Sequence, residues 1–168
     1  MRKSPHDSIG FWTKLIFIAF RKRMNKSFED MEIGAGEAMP LLGLHFFGSR
    51  SLVEISKHLA HSHPAILRHI DALEKKGLVE RVSHPEDRRM KIVQITEKGK
   101  SVAPKAFSRL WKVHETAVTG LGEEEIMHLL SLLKQVYSNL VGEENKVFPA
   151  CLETPDLSEN YKPEENEC

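Results

Sequence analysis

Cysteine is nearly missing from this chain: it occurs twice in 168 residues, as Cys151 and Cys168, both close to the end. So few thiols, so placed, point to a reducing, cytoplasmic setting. Long apolar runs are missing too. The strongest, "LIFIAF" at 15–20, has Thr13 and Lys14 before it and "RKR" after it. It falls well short of the roughly 20 residues that span a bilayer, and no small-residue cleavage site follows it, so neither a membrane anchor nor a signal peptide is expected. There is no glycine-rich phosphate loop, no nucleophile elbow and no carboxylate pair in a plausible cleft, which argues against an enzyme. No internal repeat is found.

Net charge is also absent, but the neutrality hides a separation. Up to Lys112 the chain carries 21 Lys and Arg against 12 Asp and Glu, and beyond it 3 against 12. A basic front and an acidic rear can be ordinary solvated faces, or can mark nucleic-acid binding at one end. Beyond Gly142 there are 8 acids, 2 lysines and three prolines with almost no periodicity. Residues 143–168 therefore read as an acidic, disordered tail that follows a single domain at 1–142.

Within that domain, residues 9–28 read as a helix with apolar positions around most of its circumference: Ile9, Trp12, Ile16 and Ala19 on one stripe, Phe17, Phe20, Met24 and Phe28 on another. It calls for cover on several sides, by a second subunit or by the core of a monomer. "EIGAGEAM" breaks the pattern at Gly34 and Gly36, and "MPLLGLHFF" predicts a second helix with Pro40 in its first turn. In "SLVEISKHLA", Ser51 and Glu54 have capping-box spacing ahead of a short third helix. "SHPAILRHIDALEKKG" then offers Ser62 or His63 as cap, Pro64 in the first turn and Gly77 as the stop. "LVERVS" and "KIVQIT" predict two strands around "HPEDRRMK", and Thr96 caps a long helix with Val102, Ala106, Leu110, Val113 and Ala117 in register. The last helix carries Ile126, Leu129, Leu133, Val136 and Leu140 behind an acidic first turn.

The fold class expected is mainly α with a small β-hairpin wing: a winged helix-turn-helix at about 33–96, flanked by dimerisation helices at 9–28 and 97–141. Only about three residues, "HSH", join the third and fourth helices, the tight connection of a helix-turn-helix. A hairpin with a cationic tip directly behind it makes a wing that reaches an adjacent groove or the backbone of DNA. At about 100° per residue, Pro64, Arg68, Asp71 and Lys75 lie opposite the stripe of Ile66, Ile70 and Leu73. Arg68 is the candidate to read a base, guanine by its fork, unless it merely pairs with Asp71 one turn on. The DNA-facing set is Ser62, His63, Pro64, Ala65, Leu67, Arg68 and Lys75, with Arg88 and Arg89 of the wing. His58, His61, His63 and His69 cluster in sequence, but His69 sits beside the apolar stripe and the others in a turn, so no metal and no cofactor is expected.

The segment "LRHIDALEKKGLVERVSHPEDRRMKIVQITEKGK" resembles the MarR, or multiple antibiotic resistance regulator, family of dimeric winged-helix transcription factors. The resemblance covers roughly 9–141 and leaves out the tail. It implies that the family's wing pattern Asp-x-Arg falls on Asp87 and Arg89, with Arg89 in the minor groove, Asp87 orienting it and Arg88 meeting phosphate. Family members often place a small hydroxyl residue where this chain has Leu67, a departure that bears on the target sequence and not on the fold. The resemblance also implies a small phenolic or lipophilic effector in a crevice that Trp12, His45 and Trp111 could line, although aromatics at helical spacing are usually core. Peroxide-sensing members use a cysteine in the first helix, and this chain has none there. The function implied is a homodimeric repressor on a pseudo-palindromic operator, or, in a different class, a winged-helix module that grips a protein with the same elements.

Overall fold

The computed structural model describes residues 4–59, 62–84 and 89–141, so the tail and the wing residues Asp87 and Arg88 lie outside the described residues. A short 3-10 turn, Pro5–Asp7, leads into α1 (Ile9–Ser27), α2 (Ala35–Phe47), α3 (Leu52–His58) and α4 (His63–Lys75). The strands β1 (Val79–Ser83) and β2 (Lys91–Ile95) follow, then α5 (Glu97–Ala117) and α6 (Glu123–Val141). No described helix is long and apolar enough to cross a membrane.

Local chemistry sets most boundaries. Ser51 Oγ accepts the Glu54 amide while the Glu54 carboxylate takes the Ser51 N–H at 2.8 Å, so two orphan donors of α3 are satisfied reciprocally. At the far end of α4, Gly77 adopts a positive φ of 70°, its N–H bonds to Glu74 O, and the Leu78 N–H reaches Leu73 O. These two bonds close a Schellman motif, which glycine enters without the Cβ penalty. They also turn Leu78 straight into the core. Thr96 caps α5 by accepting the Gly99 N–H at 3.1 Å, and its own hydroxyl donates to Gly77 O at 2.7 Å.

The cap of α3 supports a measurable expectation. Hydrogen bonds from Ser51, first its hydroxyl and then its amide, hold the Glu54 carboxyl below its ordinary pKa. A lowered pKa means that this contribution is complete above the usual glutamate range and is lost as pH falls through the lowered value. Ser51→Ala is expected to cost about 1 kcal/mol at neutral pH. Denaturant melts of both proteins should converge in acid; an equal difference at every pH would refute the role given to Glu54.

Helix α2 departs from the sequence expectation. It starts at Ala35, one turn before Met39, and Pro40 is an interior, buried residue instead of a first-turn one. Glu37 explains the early start: its carboxylate accepts the Gly34 N–H at 2.8 Å and is held from the other side by Lys76, the residue after α4, at 2.6 Å. The proline costs one helical bond, to Gly36 O. Burial of Leu41, Leu42 and Leu44 beside it offsets that loss, each side chain contributing about 1.5–3 kcal/mol. Gly36 is not a breaker either, because it lies inside α2, where its missing Cβ makes room for the His69 ring; a Cβ would come within 2.6 Å of Cε1.

The core is built from Ile33, Leu41 and Leu44 of the α2 region, Ile66, Ile70 and Leu73 of α4, Leu78, Val79 and Val93 of the hairpin, and Ala103 and Ala106 of α5. Arg109 ties α5 to the end of α1 and the loop after it, donating to Ser27 O at 3.1 Å and to Asp30 at 2.6 Å. That bond is the main reason the exposed Asp30 titrates below its ordinary value. By contrast α1 and α6 contribute no buried residue of their own, and Ala117, expected on the inner stripe of α5, is exposed.

Candidate nucleic-acid interface

Helix α4 sorts its residues as the spacing predicts. Ile66, Ile70 and Leu73 have no exposed surface, whereas Pro64, Leu67, Arg68 and Lys75 are exposed and Ala65 is half-buried. Ser62 occupies the N-cap position with extended backbone, but its side chain makes no cap bond. His63, at the first position of α4, instead brings Nδ1 within 3.4 Å of Ser56 Oγ, which links the start of α4 to α3. Leu67, at 38 % exposure, is an apolar residue on an otherwise polar row.

Asp71 is not where the outward row would leave it. It is half-buried and pairs with Arg81 of β1 at 2.6 Å, so the alternative in which it simply neutralises Arg68 does not describe this fold. A second carboxylate of α4, Glu74, meets the same guanidinium and also accepts the Arg81 N–H at 3.2 Å. Sequence reasoning missed this cluster. Its partners are 7 and 10 residues apart, across a helix end and a turn, and no periodicity signals that.

The hairpin is a two-stranded antiparallel ribbon in which Arg81 faces Val93 and Ser83 faces Lys91. Arg50, just ahead of α3, adds a bridge to the outer edge of β2: its N–H donates to Val93 O at 3.1 Å and its carbonyl accepts the Val93 N–H at 2.8 Å. Arg89, Met90 and Lys91 are exposed at the end of the hairpin, and Lys91 reaches Ser83 Oγ at 2.9 Å. A groove of about 800 Å³ lies between the start of α3 and the wing; Arg50, His63, His84 and Lys91 are among its lining residues. His63 at the start of α4 and Met90 and Lys91 at the end of the hairpin thus border one groove, in which Arg50 and Lys91 supply positive charge and Glu54 negative.

The three residues proposed for an effector crevice line no common groove among the described residues, although His45 connects to Trp111 through the rings of Phe46 and Phe107. His45 lines a polar groove of about 500 Å³ with Glu80, Gln94, Thr96 and Lys100. Burial there, with Lys100 adding to it, lowers the His45 pKa. Trp111 stacks on Phe107 at 5.9 Å and tilts against His114 on α5. Trp12 belongs to the far end of α1, where its indole donates to His6 O at 2.8 Å. An apolar hollow lies elsewhere. It has a volume of about 400 Å³ and is walled by Ile16 and Phe20 of α1, Val113 and Ala117 of α5, and Leu130 and Leu133 of α6.

Comparison with known proteins agrees with this architecture. Residues 37–91, which include most of α2 and all of α3, α4 and β1, match the MarR family model. The reduced form of MarR from E. coli superposes with a TM-score of 0.67 at 25% identity, over 78% of this chain and 97% of that one. A cysteine-to-serine mutant of the same protein, crystallised with operator DNA, gives 0.71 at 24% identity over 77% and 94%. BpsR from Bordetella bronchiseptica, whose DNA binding is regulated by 6-hydroxynicotinic acid, gives 0.75 at 19% identity over 82% and 99%. Helix order, hairpin and family match coincide: residues 37–91 of this chain match the MarR family model, and the chain has the winged-helix fold of those solved structures.

Proposed function

We infer that this protein is a dimeric regulator of transcription that binds double-stranded DNA sequence-specifically, with α4 in the major groove and the hairpin as a wing. The observation that carries the reading is the exposed row of α4, with Arg68 and Lys75 on it, together with a hairpin whose end exposes Arg89 and Lys91 and a groove that Arg50, His63 and Lys91 help to line. The MarR mutant with operator DNA supports it by likeness of fold. In this reading Ser62, His63, Pro64, Ala65, Leu67, Arg68 and Lys75 face the duplex with Arg88 and Arg89, and Asp87 orients Arg89. The dimer forms through α1, α5 and α6, on an operator of pseudo-palindromic half-sites. The protein acts as a repressor, and a small phenolic or lipophilic effector releases it. The hollow between α1, α5 and α6 is a second candidate seat for such a molecule beside Trp12, His45 and Trp111, because it is concave and apolar.

Selection of duplexes from a random pool, followed by binding at two salt concentrations, tests the reading. Phosphate contacts release counterions, so affinity should fall steeply with salt. No duplex selected, or affinity indifferent to salt, would favour a winged-helix module that binds protein.

Two substitutions separate the reading elements. Arg68→Ala is expected to cost about 1–3 kcal/mol and to relax preference at one base step per half-site. Arg89→Ala should cost a similar amount, most on A·T-rich flanks where the minor groove is narrow and its potential most negative. Uniform losses across all sequences would reassign both arginines to phosphate.

A further inference from the structure

The hairpin is tied to the body on both of its edges at one rung. Arg81 and Val93 face each other across the ribbon, and each turns its amide away from the other. The Val93 N–H leaves the β2 edge for Arg50 O at 2.8 Å, and the Arg81 N–H leaves the β1 edge for Glu74 at 3.2 Å. The Arg81 guanidinium closes the second tie, one nitrogen on Asp71 at 2.6 Å and the other on Glu74, with its side chain only 25% exposed. A forked cation between two carboxylates one helical turn apart is held in direction as well as in place. Beyond this rung the ribbon has two more residue pairs before its turn, so small rotations there swing the end of the wing.

We propose that Arg81 is a positioning residue that sets the wing's angle to α4, so that the wing and the reading helix meet one duplex in a fixed relation. This rests on the DNA-binding reading above. Arg81 has a second effect in the same place, since it neutralises two carboxylates that would otherwise stand beside the reading face and repel phosphate. It does so without touching DNA itself. Arg50 ties only the β2 edge and cannot replace it.

Two measurements on the full chain test the proposal. Amide exchange reads the tie directly: Arg81→Met should speed exchange in β1 and β2 by about tenfold and leave α2 and α5 at their wild-type rates, a local effect of the size expected for contacting charged groups. Arg81→Lys, which keeps the charge but not the fork, should recover part of the protection. Unchanged exchange in the strands, or faster exchange throughout, overturns the proposal whether or not the protein binds DNA. On a selected duplex, the penalties of Arg89→Ala and Arg68→Ala are then measured with Arg81 and with Met at that position. If Arg81 acts through the wing, the Arg89→Ala penalty should shrink from about tenfold to about threefold or less in the Arg81→Met background, while that of Arg68→Ala stays whole. An Arg89→Ala penalty equal in both backgrounds, or both penalties shrinking together, would sink the positioning role. If the wild type selects no duplex, the DNA reading fails alone and amide exchange decides the tie.

Discussion

Gly99→Ala is expected to destabilise the protein by about 3 kcal/mol or more, although alanine is the better helix former by about 1 kcal/mol. The reason is one atom. A Cβ at Gly99 would stand 2.1 Å from the Leu78 carbonyl oxygen and 2.6 Å from Ile95 Cγ1, against an ordinary C···O approach of about 3.3 Å. That oxygen cannot simply turn aside, because it accepts the Thr96 N–H at 3.1 Å, and Thr96 caps α5 and donates to Gly77. Relief requires the first turn of α5 to back away from the hairpin, which loosens the cap and the Leu78 position together. A loss of 3 kcal/mol corresponds to a fall in melting temperature of roughly 6–12 °C for a chain of this size. A melt within a degree or two of wild type would show that the junction has slack.

The second large effect concerns assembly. In the chain by itself α6 stands with Leu129, Leu130, Leu132 and Leu133 exposed and Leu140 at 81% exposure, and α1 exposes Trp12, Ile16 and Phe17. An isolated helix of 19 residues is marginal in water, so side chains like these ask for a second copy to cover them. Leu130→Glu with Leu133→Glu places two carboxylates in the apolar hollow against Phe20 and Val113. Sedimentation should then find monomers, with the α4 and hairpin core intact by circular dichroism because neither leucine belongs to it. Operator affinity should drop by about 100-fold to 10,000-fold, since a monomer loses the effective concentration that links two half-sites. A variant that stays dimeric would place the interface on other residues.

Much of this was open to reading from the residues alone, and the reason is range. Ser51 and Glu54, Thr96, Pro64 and Gly77 act on backbone groups within four or five positions, so their roles follow from spacing. The stripe of Ile66, Ile70 and Leu73 and the alternation in β2 follow from the helical and strand periods in the same way. Together these determine a helix-turn-helix with a hairpin behind it. Where α2 begins depended on a distant cation, because Lys76 fixes the Glu37 carboxylate that caps Gly34. Asp71 has Arg68 as a near neighbour in sequence, yet its partner is Arg81, which only the sharp turn at Gly77 brings across. The aromatic residues Trp12, His45 and Trp111 were equally eligible for one crevice by type, yet His45 and Trp111 connect through Phe46 and Phe107 while the Trp12 indole bonds to His6 O. Sequence patterns carry hydrogen bonds and periodicity within an element. How two elements approach is set by their packing, which no local spacing encodes, and the charge pairs between them are decided only there.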